Sequence, residues 1–190
     1  MRAVYRTLLV LPWVVAQVAT ALLWSWMVNP HYGPVVYLLQ TLGFGAPNLL
    51  GDKDQAMWAM VVAAVWRSFP FGMLLLLAAL QTVPRDIYEA AEVDGAIGWR
   101  SLWYLTLPLI KSTLLVTVII LTLSYFNLIE LPYILTGGGP VGTTEVMSVQ
   151  LYREAFLMHN VGYSSAIAVY IFIFNIVFSL LYIRLLHHKP

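Results

Sequence analysis

The sequence predicts an all-α membrane protein that crosses the bilayer four times, on three observations. The chain of 190 residues is 61% hydrophobic and only 10% charged, and its mean hydropathy of +0.80 lies well above that of a soluble domain. Long runs lack charge altogether, and each approaches or exceeds the roughly 20 residues a helix needs to cross the hydrocarbon layer. Between those runs stand clusters of Gly and Pro, which favour turns over continuous helix. A net charge of +1 with no basic run leaves no electrostatic footprint for nucleic acid. No cysteine is present, which removes disulfides and thiol chemistry.

The first uncharged window, 7–30, lies between Arg6 and His31. A secretory signal has an apolar core of about 7–15 residues and a small-residue cleavage site. This run is longer and ends in "WSWMVNP", so it reads as a crossing helix. The following stretch, 29–54, is broken by Pro30, Gly33, Pro34, Gly43, Gly45, Pro47 and Gly51. Its apolar patch from Val35 to Leu42 predicts a short helix lying at the membrane interface. Window 55–84, interrupted only by Arg67, is the second span; 112–129 is the third and 160–183 the fourth. Between the last two, "TGGGPVGT" at 136–143 excludes a helix, because glycines permit positive φ and Pro140 lacks a backbone donor. The next stretch, "TEVMSVQLYREAFLMHN", predicts a helix capped by Thr143 or Thr144 and ending near Asn160 and Gly162. With no internal repeat or second domain, residues 1–190 read as one membrane domain.

The charged island between the second and third spans, 84–108, is patterned. Pro84 suits the first turn of a helix, and Asp86 and Glu89 follow near the positive end of its dipole. Ile87, Ala90, Ala91 and Asp94 share one face by their spacing, and Gly95 stops the helix. A second amphipathic segment runs from Trp99 to Leu107 and ends at Pro108, just before Lys111. The island therefore predicts a helix-turn-helix along the membrane surface, with a small-residue patch that another surface can approach.

Glu89-Ala90-Ala91, then three residues and Gly95, then nine residues and Leu105, a free position, Leu107 and Pro108, resembles the cytoplasmic signature of binding-protein-dependent ABC importer permeases. Only Leu105 departs, where the family usually has Ile. The flanking "VPRDIYEAAEVDGA" and "LTGGGP" look like the first permease subunit of the carbohydrate-uptake branch, the maltose and glycerol-3-phosphate type. The resemblance covers nearly the whole chain. Such subunits usually carry two more membrane helices before the equivalent of 7–28, so the chain is expected to lack them.

The resemblance implies that the loop docks into a cleft on a cytoplasmic ATPase dimer. Glu89 would be the docking carboxylate, Ala90, Ala91 and Gly95 would allow close packing, and Leu107 and Pro108 would end the loop. Asp94 would either hold the turn or contact the partner. A second homologous permease subunit and an extracytoplasmic solute-binding protein are the other implied partners. The chain is expected not to be an enzyme, because none of Lys53, Lys111 and Lys189 sits in G-x-x-x-x-G-K-[ST]. It also shows no H-E-x-x-H or Ser/His/Asp constellation. No cofactor or metal is expected: His187 and His188 are adjacent and would point about 100° apart on a helix, and they read better as part of a basic tail. The rival readings are a non-transporting membrane scaffold and a permease for a non-carbohydrate solute.

Polar residues inside the spans are the remaining candidates, because an ionisable group at bilayer depth costs at least a few kcal/mol. Arg67 and Glu130 could form a structural pair or belong to the solute path. Trp66, Tyr125, Asn127 and Tyr133 bring stacking faces and hydrogen-bonding groups suited to a sugar, although aromatics are common at membrane interfaces and each taken singly reads better as packing. The break at Gly137, Gly138 and Gly139 fits a plain outer loop or a cavity edge, since irregular backbone at membrane depth is tolerated where it lines a cavity, and the resemblance implies the cavity edge, beside the translocation path.

Lys and Arg are enriched in cytoplasmic loops. With Met1 inside, the inner segments hold Arg2, Arg6, Arg85, Arg100, Lys111, Arg184 and Lys189, and the outer ones only Lys53 and Arg153. Both ends and the charged island are thus expected in the cytoplasm, and the resemblance implies a bacterial or archaeal plasma membrane. Cysteines placed at Asp52 and Glu145 are expected to react with an impermeant maleimide in intact cells, and one at Arg100 is not. Labelling of position 100 from outside would reverse the orientation and remove the docking reading.

Overall fold

Apolar surroundings offer a backbone no hydrogen-bond partner, so each hydrophobic run satisfies its own peptide groups by coiling. In the computed structural model, which describes residues 2–186, all regular structure is helical. The order is α1 (Arg2–Val14), α2 (Gln17–Met27), α3 (Pro34–Thr41), α4 (Ala56–Gln81) and α5 (Arg85–Val93). The segment Trp99–Leu109 follows, made of α6 (Trp99–Ser101), a π-helical turn (Leu102–Thr106) and α7 (Leu107–Leu109). Then come α8 (Lys111–Phe126), α9 (Glu130–Leu135), α10 (Met147–Tyr152) running into a second π-helical turn (Arg153–Leu157), and α11 (Val161–Leu186). The histidine pair His187 and His188 and the basic Lys189 lie outside the described residues.

Two helices, α4 and α11, are long and apolar enough to cross a membrane unaided. Of the other two predicted spans, 7–30 is bent, and 112–129 falls on α8, whose 16 residues end at Phe126. Window 7–30 is not one straight helix: α1 and α2 meet at 103°, with Ala16 extended at φ −57°, ψ 144°. The 11 residues of α2 rise only about 16 Å, against a hydrocarbon layer of about 30 Å. Uninterrupted hydropathy encodes apolar surroundings and says nothing of straightness, which is why the break was missed. The second bent pair joins Trp99–Leu109 to α8 at 75°.

The core lies where α2 and α9 pack on α4. Ala21, Trp24 and Val28 of the α2 region, Met60 and Ala63 of α4, and Leu131 and Leu135 of α9 form one buried cluster. Their spacings of three, four and seven place each set on one helix face. Ala21 and Ala63 are fully buried, and such small residues allow the close backbone approach on which membrane bundles rely. Beyond this core, α1 lies along α4 with Trp13 on Phe71 at 5.6 Å. Phe126 at the end of α8 meets Phe174 and Phe178 of α11 at 6.3 and 5.3 Å.

Two terminal predictions need correction. The helix expected to begin at Thr143 or Thr144 begins at Met147, behind an extended Val146. Both threonine hydroxyls are otherwise engaged: Thr143 Oγ1 donates to Pro140 O at 2.8 Å, and Thr144 Oγ1 lies 2.6 Å from Gly139 O and 2.7 Å from Thr136 Oγ1. Pro84 caps α5 from outside, one residue earlier than its predicted place.

The α2–α3 junction depends on Gly33. A Cβ there would lie 2.4 Å from Met27 O and 2.5 Å from Asn29 O, both backbone atoms that cannot rotate away. Gly33→Ala is expected to lower stability by roughly 1–3 kcal/mol, the usual cost of overpacking, seen as a lower midpoint of thermal unfolding in detergent. Gly162→Ala, which meets nothing within 4 Å, should leave that midpoint unchanged. Equal midpoints for the two variants would show that the junction rearranges freely.

Candidate functional site

The charged motif stands on α5, and its shape is local in origin. Asp86 occupies the first turn, where the helix dipole favours a carboxylate. At the other end Gly95 takes φ +77°, a left-handed conformation that suits glycine at a helix terminus. Backbone bonds close the turn: Asp94 N to Ala90 O at 3.1 Å, Gly95 N to Glu92 O at 3.0 Å and Ala96 N to Ala91 O at 2.8 Å. The Asp94 carboxylate is exposed and takes no part in closing the turn. No residue of α5 is buried, and Glu89 and Ala90 are exposed. A Cβ at Gly95 would meet nothing within 4 Å, so within this chain that glycine answers to conformation alone.

The second arm of the motif presents apolar groups outward. Trp99, Trp103 and Tyr104 are 75%, 62% and 82% exposed, and Val93 at the end of α5 is 88% exposed, which is far from the usual place of side chains that size. Pro108 has no N–H to give the preceding turn, and the backbone ahead of it widens into the π-helical turn. There Leu107 N donates to Leu102 O, and Thr106 Oγ1 donates to Ser101 O at 3.2 Å.

A second cluster lies where α2, α4 and α8 converge, half-buried at Gln17, Arg67 and Ser68 and exposed at Ser124 and Tyr125. Arg67 and Ser68 of α4, Gln17 of α2, and Ser124 and Tyr125 of α8 line a cavity of about 50 Å³. Arg67 lies 11 residues into α4, about 16 Å along it, hence near mid-span. Tyr125 donates its hydroxyl to Ala64 O at 3.1 Å and meets the Ser68 hydroxyl. Arg67 Nε is buried without a hydrogen-bond partner. Ala64, Tyr125 and Leu128 also border a larger cavity of about 380 Å³, walled by Met57, Met60, Val65, Pro132 and Val146. A wide apolar chamber thus adjoins a narrow polar end that offers a cation, hydroxyls and an amide.

The expected Arg67–Glu130 pair is not formed; among the described residues the ion pair present is Arg153 with Glu145. Gln17 takes the place of the guanidinium, its side-chain nitrogen donating to the Glu130 carboxylate at 2.6 and 3.3 Å. The break before α2 puts Gln17 at a helix start beside α9, and straight-helix reasoning could not foresee that. Gln17, Ser68 and Ser124 were all missed, although each is a hydrogen-bonding residue inside a predicted span.

Other sequence candidates lie elsewhere. Trp66 packs edge-on to Trp24 at 5.9 Å, and Tyr133 packs on Tyr152 at 5.1 Å. Asn127 donates its amide back to Leu123 O at 2.7 Å and lines a separate groove between α8 and α11. The glycine break is a braced turn. Gly137 and Gly138 hold φ of +60° and +84°, and Arg153 donates to Gly137 O while holding Glu145 at 2.8 Å. Pro132 and Val146, on either side of that turn in sequence, border the larger cavity.

Comparison with known proteins identifies the family. Residues 1–187 match the family described as binding-protein-dependent transport system inner membrane component. A trehalose/maltose transport system permease protein of Thermococcus litoralis is 37% identical over 96% of this chain and 62% of its own length. A sulfoquinovosyl glycerol transport system permease protein of Agrobacterium fabrum is 33% identical over 97% and 60%. An sn-glycerol-3-phosphate transport system permease protein of Brucella suis is 38% identical over 85% and 55%. The chain therefore spans about three fifths of the length of the curated relatives it matches. In structure it superposes on a bacterial ABC transporter that imports the acidic polysaccharide alginate, with a TM-score of 0.80 at 23% identity, over 100% of this chain and 66% of that one. A bacterial alginate transporter in complex with an alginate pentasaccharide-bound periplasmic protein gives 0.78 at 26%, over 98% and 64%. With the match running through both spans, the motif helix and the glycine turn, this chain belongs to the family of binding-protein-dependent transport system inner membrane components.

Proposed function

We propose that this chain forms the membrane-spanning part of a permease subunit of an ATP-driven importer for a sugar or sugar-like solute. On this reading it crosses the membrane four times, through the α1–α2 pair, α4, α8 and α11, with both ends and the segment 84–108 in the cytoplasm. A separate ATPase dimer docks at Glu89, Ala90, Ala91 and Gly95, with Asp94, Leu107 and Pro108 at the edges of the contact. A second, homologous permease completes the path, and an extracytoplasmic solute-binding protein delivers the solute. ATP hydrolysis belongs to the other chain.

One observation carries the proposal: the family motif stands on a helix with no buried residue, flanked by large exposed aromatics, in a chain that belongs to the family from end to end. A helix that gives none of its faces to its own fold is free to give one to a partner. The relatives, transport system permeases for trehalose and maltose, sulfoquinovosyl glycerol or sn-glycerol-3-phosphate, support a polyhydroxylated solute. The polar end of the chamber suits such a solute, since Tyr125 offers a ring face and a hydroxyl and Arg67 and Gln17 offer donors. Glu130 contributes through Gln17, and the braced turn at 137–139 lies in sequence between Pro132 and Val146, which wall the chamber.

Two experiments test the proposal. Glu89→Lys places a like charge against the basic partner expected in the ATPase cleft, and such contacts can cost several kcal/mol. Copurification of the ATPase and solute uptake should both fall at least about tenfold, with membrane insertion unchanged. A mutant that copurifies and transports normally would sink the docking role. For the path, Arg67→Gln removes a charged donor whose loss typically costs about 1–3 kcal/mol, or about 5- to 150-fold in uptake per assembled complex. Solute-stimulated ATPase activity should be partly retained. A fall in protein abundance with unchanged uptake per complex would make Arg67 structural.

A further inference from the structure

Arg67 is the one charged residue of α4, and among the described residues it makes no hydrogen bond or ion pair. Its Nε is buried without a partner. Glu130, the carboxylate expected to neutralise it, is held by the Gln17 amide. The neutral groups beside it are also committed. Ser124 Oγ donates to Ile120 O at 2.8 Å. The Tyr125 and Ser68 hydroxyls meet each other, and Ala64 O accepts from the first at 3.1 Å and from the second at 2.9 Å. Each hydroxyl proton thus has an acceptor within the chain, and the guanidinium is the donor left over. The remaining walls of its pocket, Leu121, Leu128 and Leu131, offer no charge.

A guanidinium cannot shed its proton to escape the cost of such a setting, and an uncompensated charge at membrane depth is expensive. A sugar hydroxyl or a water molecule would accept from the N–H groups and leave the charge standing. A carboxylate, phosphate or sulfonate accepts and neutralises at once, and its paired oxygens match the planar edge of the guanidinium. The pocket opens beside a chamber of about 380 Å³ that shares Ala64, Tyr125 and Leu128 with it. One molecule can therefore place a charged group at Arg67 and its uncharged remainder in the chamber.

Resting on the reading of this chain as a permease subunit with its solute path at this cluster, we propose that the transported solute is an anionic sugar or polyol, and that Arg67 selects it by pairing with its carboxylate, phosphate or sulfonate group.

The test uses the complete complex, with its second permease and ATPase, in lipid nanodiscs. The probes are glucuronate, glucose 6-phosphate and their neutral parent glucose, and saturation-transfer NMR reads their affinities per assembled complex. The native complex should bind at least one of the two anions about tenfold or more tightly than glucose, the weight of a charge-assisted hydrogen bond. Arg67→Gln should reduce that preference to below about threefold. Arg67→Lys keeps the charge and loses the planar fork, and should retain a preference between those two values. Equal affinity for glucose and both anions overturns the proposal, and so does absence of binding by both anions. A preference that survives Arg67→Gln puts the anion elsewhere and overturns it as well. Loss in Arg67→Lys as complete as in Arg67→Gln overturns it in favour of a structural role. Failure of the native chain to copurify with a second permease and an ATPase overturns the subunit reading too, whereas the other adverse results overturn this inference alone.

Discussion

Close approach of α2 and α9 to α4 is the constraint on which the rest of the structure depends. It is made by small residues, Ala21 and Ala63 at 0% exposure, with Trp24, Leu131 and Leu135 closing around them. Because α2 ends up against α9, Gln17 reaches Glu130. Because α9 folds back against α4, Pro132 and Leu128 wall the chamber next to Tyr125. A larger residue at either alanine would separate the helices by the width of its side chain, and interiors packed to crystal density do not absorb that without strain. The polar end of the chamber is thus a consequence of apolar packing.

The motif helix follows the opposite logic. Nothing in the chain's own core rests on α5, and its two ends are closed by backbone geometry. Its surface is therefore released from the demands of folding. Glu89 and the alanines after it have no structural task that would explain their identity, which leaves recognition as the physical reason for them on the proposed reading. The same holds for Asp94, whose carboxylate contributes nothing to the turn that Gly95 and the surrounding peptide groups already close.

Much of the fold was legible in the sequence, because composition and periodicity report directly on solvent and local backbone. The helices α3, α4, α5 and α11 lie where charge-free windows, Pro34, Pro84 and Gly95 put them. The break at 136–143 was legible for the same reason, since glycines mark positive φ. What failed depended on contacts between distant residues. The 103° bend before α2 leaves no mark in hydropathy. The Arg67–Glu130 pair was a reasonable pairing of opposite charges, yet Gln17 reached the carboxylate first. Thr143 and Thr144 had the chemistry of caps but are used to brace the glycine turn. Asn127 had the chemistry of a sugar contact but points along the other side of α8. In each case the contact depends on the direction a side chain takes from its helix, which residue type does not encode.

Direction matters most at α8, which borders a cavity on each of two faces. Tyr125 borders the chamber and Asn127, two residues on, borders the α8–α11 groove. On a helix two residues are about 200° apart, so one element separates the two polar regions. Its other end is tied directly to the motif segment: only Ile110 lies between Leu109 and Lys111, and it is 6% exposed. The 75° bend at that residue leaves no slack in which a displacement of Trp99–Leu109 could be lost. A force applied to the exposed aromatics of that arm must therefore move α8 or strain the buried junction. On the proposed reading, the route from docking surface to chamber is this single covalent corner.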